Sequence, residues 1–128
     1  MKKIFIFAVF CLLWPSLSLP YDGLTLYGAH LSTQDKVNST GTPLNTVRAI
    51  LQQDRANYYK FNKRDPQDQP DGFFTTVDKR ALFQKMQIRI EPQLEKRILN
   101  GSAQMVSVFV YDENSMEVLE GLPNPNAD

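Results

Sequence analysis

Residues 42–59 read TPLNTVRAILQQDRANYY, and this stretch decides the fold class. Thr42-Pro43 predicts a helix start: a hydroxyl able to accept from an orphan N–H, followed by proline at the first helical position. Leu44, Val47, Leu51 and Tyr58 fall on one stripe with Ile50 at its edge, while Arg48, Gln52, Gln53 and Arg55 take the other side. The spacing predicts a helix over Pro43–Tyr59 with one face to bury.

The flanks say what it packs against. Upstream, Leu24–His30 reads as a strand, and Ser32–Thr42 is a polar loop with Val37 as its one apolar residue. Downstream, residues 62–72 (NKRDPQDQPDG) hold two prolines and no apolar side chain, so they are expected to stay solvated. A second helix is expected from Thr75 to about Gln87, with Thr75-x-x-Asp78 as a variant capping box and Val77, Ala81, Leu82 and Met86 as its buried stripe.

Ile88-Arg89-Ile90-Glu91 alternates like a strand until Pro92 breaks it. Beyond Pro92 two readings compete. Leu94, Ile98 and Leu99 have helical spacing, whereas Asn100-Gly101 is also a hairpin signal. A hairpin would set Glu95 against Val106 and Gln93 against Val108, so a short helix over Pro92–Leu99 is favoured. Met105–Tyr111 (MVSVFVY) is a strand under either reading, and Met116–Leu119 returns as its hairpin partner. The expected fold is a single α+β domain, with two main helices packed on a small, mostly antiparallel sheet over residues 19–120. Residues 121–128 are expected to form a flexible tail.

Met1-Lys2-Lys3, the apolar run Ile4–Trp14 and the small residues Ser16 and Ser18 are the three parts of a secretory signal peptide. Cleavage is expected after Ser18, with an uncleaved anchor as the rival reading. The apolar run spans about 16 Å as a helix, roughly half a bilayer core, so no stable membrane span is expected after cleavage. Removing Lys2 and Lys3 takes the formal charge from zero to about −2. The single cysteine, Cys11, leaves as well, which excludes thiol catalysis, thiolate metal sites and disulfides from the mature chain. A slightly acidic exported chain gives no reason to expect nucleic acid as a partner.

The chemical inventory is short. His30 is the one histidine, too few for a multi-histidine metal site, and no Gly-x-Ser-x-Gly elbow presents a serine to it. Asp65, Asp68 and Asp71 could offer oxygens to calcium, but their spacing departs from an EF-hand loop and Lys60, Lys63 and Arg64 compete for them. A solvated loop with local ion pairs is the preferred reading. The acid pairs Glu91/Glu95 and Glu117/Glu120 have no apolar surroundings to tune a glycosidase pair. No cofactor, metal or catalytic residue is expected.

The aromatic residues are the remaining feature. Tyr58, Tyr59, Phe61, Phe73 and Phe74 crowd around the polar loop beside Arg64 and Asp65. Consecutive tyrosines lie about 100° apart on a helix, so one can face the core and the other solvent. These seven residues form the expected binding face, unless the rings simply close the core. The function expected is an exported, periplasmic or secreted, non-catalytic module that binds a protein of the bacterial envelope, as an inhibitor or immunity-type protein or as an accessory of an envelope assembly. The alternative is a small ligand-binding protein or hydrolase with a pocket between helices and sheet. Burial of Asp54 with Arg55 would favour the pocket, and one exposed patch of Tyr59 with Phe74 the binding module.

Overall fold

The computed structural model describes residues 23–101 and 103–123; the expected signal peptide, 1–18, and its cleavage point lie outside them. Seven elements follow in order: β1 (Thr25–Leu31), α1 (Val47–Tyr59), α2 (Val77–Arg80), β2 (Gln87–Ile90), α3 (Pro92–Asn100), β3 (Gln104–Asp112) and β4 (Ser115–Glu120). Single 3-10 turns occupy Thr33–Lys36 and Ala81–Gln84.

The sheet runs β1-β3-β4-β2. Its β1/β3 and β3/β4 pairs are antiparallel, and β2 lies parallel to β4. The chain is therefore an α+β domain with a mixed sheet. The parallel pair arises because α3 and β3 intervene between β2 and β4, a crossover long enough to bring β4 back in the same direction.

Alternation places the core. Tyr27, Ala29 and Leu31 of β1, Val106, Val108 and Val110 of β3, and Met116 and Val118 of β4 share one face and are buried. Val47, Ile50 and Leu51 of α1, Leu94 and Ile98 of α3, and Phe74, Phe83 and Met86 close over them. The opposite face carries Leu26, Gly28, Ser107, Phe109 and Leu119. Residues 121–123 lie on it: Gly121 N–H donates to the Met105 carbonyl (2.9 Å) and its carbonyl accepts from Ser107 Oγ (2.6 Å). The expected tail is thus held at its root. Gly28 is what lets the chain pass, because a Cβ there would sit 2.8 Å from Pro123 and 2.9 Å from Leu122.

Three expectations change. First, α1 starts at Val47, capped by Thr46, whose side chain accepts from Ala49 N–H at 3.1 Å. Asn38 is the reason: it takes Thr42 N–H on its side chain and donates its own N–H to the Thr42 carbonyl, both at 2.8 Å, and so ties Thr42-Pro43 into a turn. Second, the long helix expected at Thr75–Gln87 is only α2 and a 3-10 turn. Thr76 caps it instead of Thr75; Val77 is 69% exposed and Ala81 exposed, Leu82 is half-buried, Met86 is buried as expected, and Arg80 and Phe83 are buried with it. Third, residues 62–72 are not simply solvated, for reasons that belong to the site.

Candidate functional site

Arg55 is the centre of the region the sequence pointed to, and it is fully buried although its residue type had assigned it to the polar side. Its Nε donates to Asp54 Oδ2 at 2.8 Å. Its Nη1 donates to the Gln69 carbonyl at 2.8 Å and to Asp71 Oδ1 at 2.9 Å. Its guanidinium lies 4.1 Å from the Tyr27 ring centre, 4.8 Å from that of Tyr58 and 5.9 Å from that of Tyr59. Spacing offered a signal for this: Arg55 is four residues after Leu51 and three before Tyr58, which puts it on the buried stripe. Burial pushes the Asp54 carboxyl up to about 8 against the opposing pull of Arg55. Asp54 and Arg55 are therefore buried together, as the pocket reading required. They are enclosed by core side chains, at 1% and 0% exposure.

Asp71 joins this cluster to the loop. Its Oδ1 also accepts from Tyr59 Oη at 2.7 Å, and its Oδ2 accepts from the N–H groups of Phe73 and Phe74. Residues 65–71 then run as a strap along the free edge of β1. Gly28 N–H donates to Gln69 Oε1 (2.7 Å), Gln69 N–H to the Gly28 carbonyl (2.9 Å), and His30 N–H to Asp68 Oδ1 (2.8 Å). Most of the loop stays exposed, while the groups it turns toward β1 and Arg55 meet partners.

The structure places the seven expected site residues around this cluster and its loop. Phe74 is fully buried, edge-on to Tyr27 and stacked on Phe83 at 4.3 Å. Tyr58 is buried, and Arg64 stays exposed while donating to its carbonyl at 2.9 Å and covering its ring. Tyr59 is half-buried with its hydroxyl on Asp71, and Phe73 is half-buried beneath Lys79 Nζ. Asp65 accepts from Ser32 Oγ at 2.7 Å. Only Phe61, 38% exposed, keeps an open ring, at the rim of a cleft of about 130 Å³ lined also by Gln34, Asn38, Gln53, Asn57 and Lys63. Tyr59 and Phe74 form no exposed patch.

The catalytic and metal readings meet specific geometry. Ser32 Oγ donates to Asp65, and His30 Nδ1 stands 3.9 Å from Asp65 Oδ1, so no serine–histidine hydrogen bond links a nucleophile to a base here. Asp68 spends both oxygens on the N–H groups of His30 and Asp65. Among the described residues no group of three or more acids and histidines is arranged to hold a metal ion.

At the other sheet edge, no described strand pairs with the outer side of β2. Gln87 N–H donates to the Asn114 carbonyl at 2.7 Å, so in a parallel ladder Gln87 and Arg89 turn their main-chain groups to β4. Ile88 and Ile90 turn theirs outward, where no hydrogen bond from a described residue reaches them. A groove lies on each side of this edge. One, of about 390 Å³, is lined by Gln87, Ile88, Arg89, Tyr111, Ser115 and Met116. The other, of about 190 Å³, is lined by Thr46, Val47, Arg48, Ile88, Ile90 and Glu95. Arg48 positions the strand by donating to the carbonyls of Phe83 and Met86 just before it. The alternation of residues 88–91 was readable; their place at an edge was not, since strand order is set by distant pairings.

No protein-family model, curated protein or solved structure matches the chain.

Proposed function

We propose that the protein is an exported, non-catalytic module that binds another protein by accepting one of its extended segments along β2. The observation that carries this reading is the pair of outward-facing residues, Ile88 and Ile90, with a groove on either side. In strand addition the main-chain bonds supply affinity and the flanking pockets select alternate side chains. Export is supported by Lys2-Lys3, the apolar run Ile4–Trp14 and Ser16-Leu17-Ser18. Among the described residues no helix is long and apolar enough to cross a membrane. An inhibitor or immunity-type protein and an accessory of an envelope assembly both work through surfaces of this kind.

Peptide display on the purified domain tests the reading, followed by amide exchange on the complexes obtained. Slowed exchange at Ile88 and Ile90 is expected; slowing confined to other elements overturns it. The competing reading, a small-ligand carrier, draws on the amide-lined cleft beside Phe61. It predicts that the affected residues are Gln53 and Asn57 instead.

A further inference from the structure

We propose that the segment accepted by β2 alternates apolar with acidic residues, the acids lying over Arg89 and the apolar side chains beside Ile88 and Ile90. This rests on strand addition at β2 and names the chemistry of the partner. An added strand points successive side chains to opposite faces, so the two grooves read alternate positions of one segment.

The grooves differ in kind. The one beside α1 and α3 is built on Val47, Ile88 and Ile90, with Thr46, Arg48 and Glu95 around them. Its cation, Arg48, is held in place by donating Nη1 to the carbonyls of Phe83 and Met86 and keeps its charge, which repels a lysine placed there. A lysine placed there finds only the exposed Glu95, whereas a valine or leucine covers three apolar side chains. The groove on the opposite face contains Arg89, exposed, next to Gln87, Tyr111 and Ser115. No ion pair engages Arg89 among the described residues. Glu117, its register partner on β4, accepts from Tyr111 Oη at 2.7 Å and stands outside ion-pair distance of Arg89. A carboxylate on the incoming strand lies directly opposite a cation, and a lysine there is repelled. The same rule argues against two copies of this chain pairing through β2 with Arg89 opposite Arg89.

The test uses the purified domain and three capped five-residue peptides that alternate valine with glutamate, lysine or serine, read by amide exchange and NMR titration. The glutamate peptide is expected to slow exchange at Ile88 and Ile90 and to bind about fivefold more tightly than the lysine peptide, the scale of one cross-strand charge pair. Arg89→Glu, an exposed change that leaves the core intact, is expected to reverse that order. If the glutamate and lysine peptides slow Ile88 and Ile90 equally, the acidic preference is overturned while docking at β2 stands. If no peptide affects Ile88 and Ile90, both are overturned.

Discussion

The sheet has two edges, and the chain treats them in opposite ways. On β1, the outward N–H groups of Gly28 and His30 are taken by Gln69 and Asp68, from a loop bounded by Pro66 and Pro70. On β2, the corresponding groups of Ile88 and Ile90 meet nothing from the described residues. An open edge is a template for pairing with other chains, and proteins usually blunt it. The difference teaches that closing an edge does not require another strand. Carboxylates and amides at the right spacing do so, provided something anchors the loop that carries them. Here the anchor is Asp71, gripped by Arg55 and Tyr59. Among the described residues nothing comparable is built over β2, although Arg48 holds the turn that leads into it.

The largest way to break this contrast is to cut the anchor. Asp71→Ala leaves Arg55 fully buried with Asp54 as its one remaining carboxylate and removes the acceptor of Tyr59 Oη and of the Phe73 and Phe74 N–H groups. Losing one partner of a buried pair costs about 3–5 kcal/mol. Thermal unfolding should show a fall of roughly 15 °C or more, with exchange at Gly28 and His30 speeding toward that of Ile88 and Ile90. An unchanged melting temperature would mean that the strap merely rests on β1.

A smaller effect comes from pH. Asp35, buried beside the Asp65 end of the strap, accepts from Ser32 N–H at 3.1 Å and Asn57 Nδ2 at 2.8 Å. Burial raises its carboxyl from 3.8 to about 6. A carboxyl that holds its proton more tightly when folded adds stability that is complete below about pH 4 and disappears as pH rises through 6. Asp35→Asn should therefore remove a decline on the order of 2 kcal/mol between pH 4 and 6.5, measured by urea denaturation. The variant loses an acceptor and starts lower, so the slope is what counts; parallel curves for the two proteins would refute the assignment.

The contrast between the edges also marks what was legible in the residues. Helix α3 was readable because Pro92 can sit in its first turn and Leu94 and Ile98 repeat at helical spacing. Strand β3 was readable because Val106, Val108 and Val110 alternate. The α+β class follows from these and from the stripe on α1. Strand order did not follow, because nothing local in QIRI says that it pairs with β4 in parallel and ends the sheet. Arg55 was misassigned because charge was given more weight than position, and the buried carboxylate of Asp71 was missed in an otherwise exposed loop because its partners come from helix residues distant in sequence. The aromatic residues around the loop could be listed from the sequence, while the side-chain packing that sends Phe74 inward and leaves Phe61 open depends on the whole core.

Gly28 is the next smaller lever. A Cβ added there would lie 2.8 Å from Pro123, 2.9 Å from Leu122 and 3.0 Å from Gln69 Oε1, so the strap, the tail or both must move. Gly28→Ala is expected to destabilise by about 1–2 kcal/mol and to loosen both neighbours together. A gain in stability would show that these residues yield freely and are not part of the closure.

The smallest effect on folding, and the sharpest on the comparison, belongs to Ile88→Pro. Proline lacks an N–H, and inside a paired strand its loss breaks a ladder bond. At position 88 the N–H points away from β4, so the ladder keeps its bonds, and Gln87 before it is already extended as a residue preceding proline must be. What is lost is part of the packing of a half-buried isoleucine, about 1 kcal/mol. Binding of a segment along β2 should meanwhile weaken at least tenfold, since one of its few main-chain donors has gone and a ring stands in its place. Calorimetry of the folded variant against the peptide that best slows exchange at Ile88 and Ile90 reads both quantities in one preparation. Unimpaired binding by the proline variant would mean that the edge is open without being used, and that the asymmetry between β1 and β2 is one of construction alone.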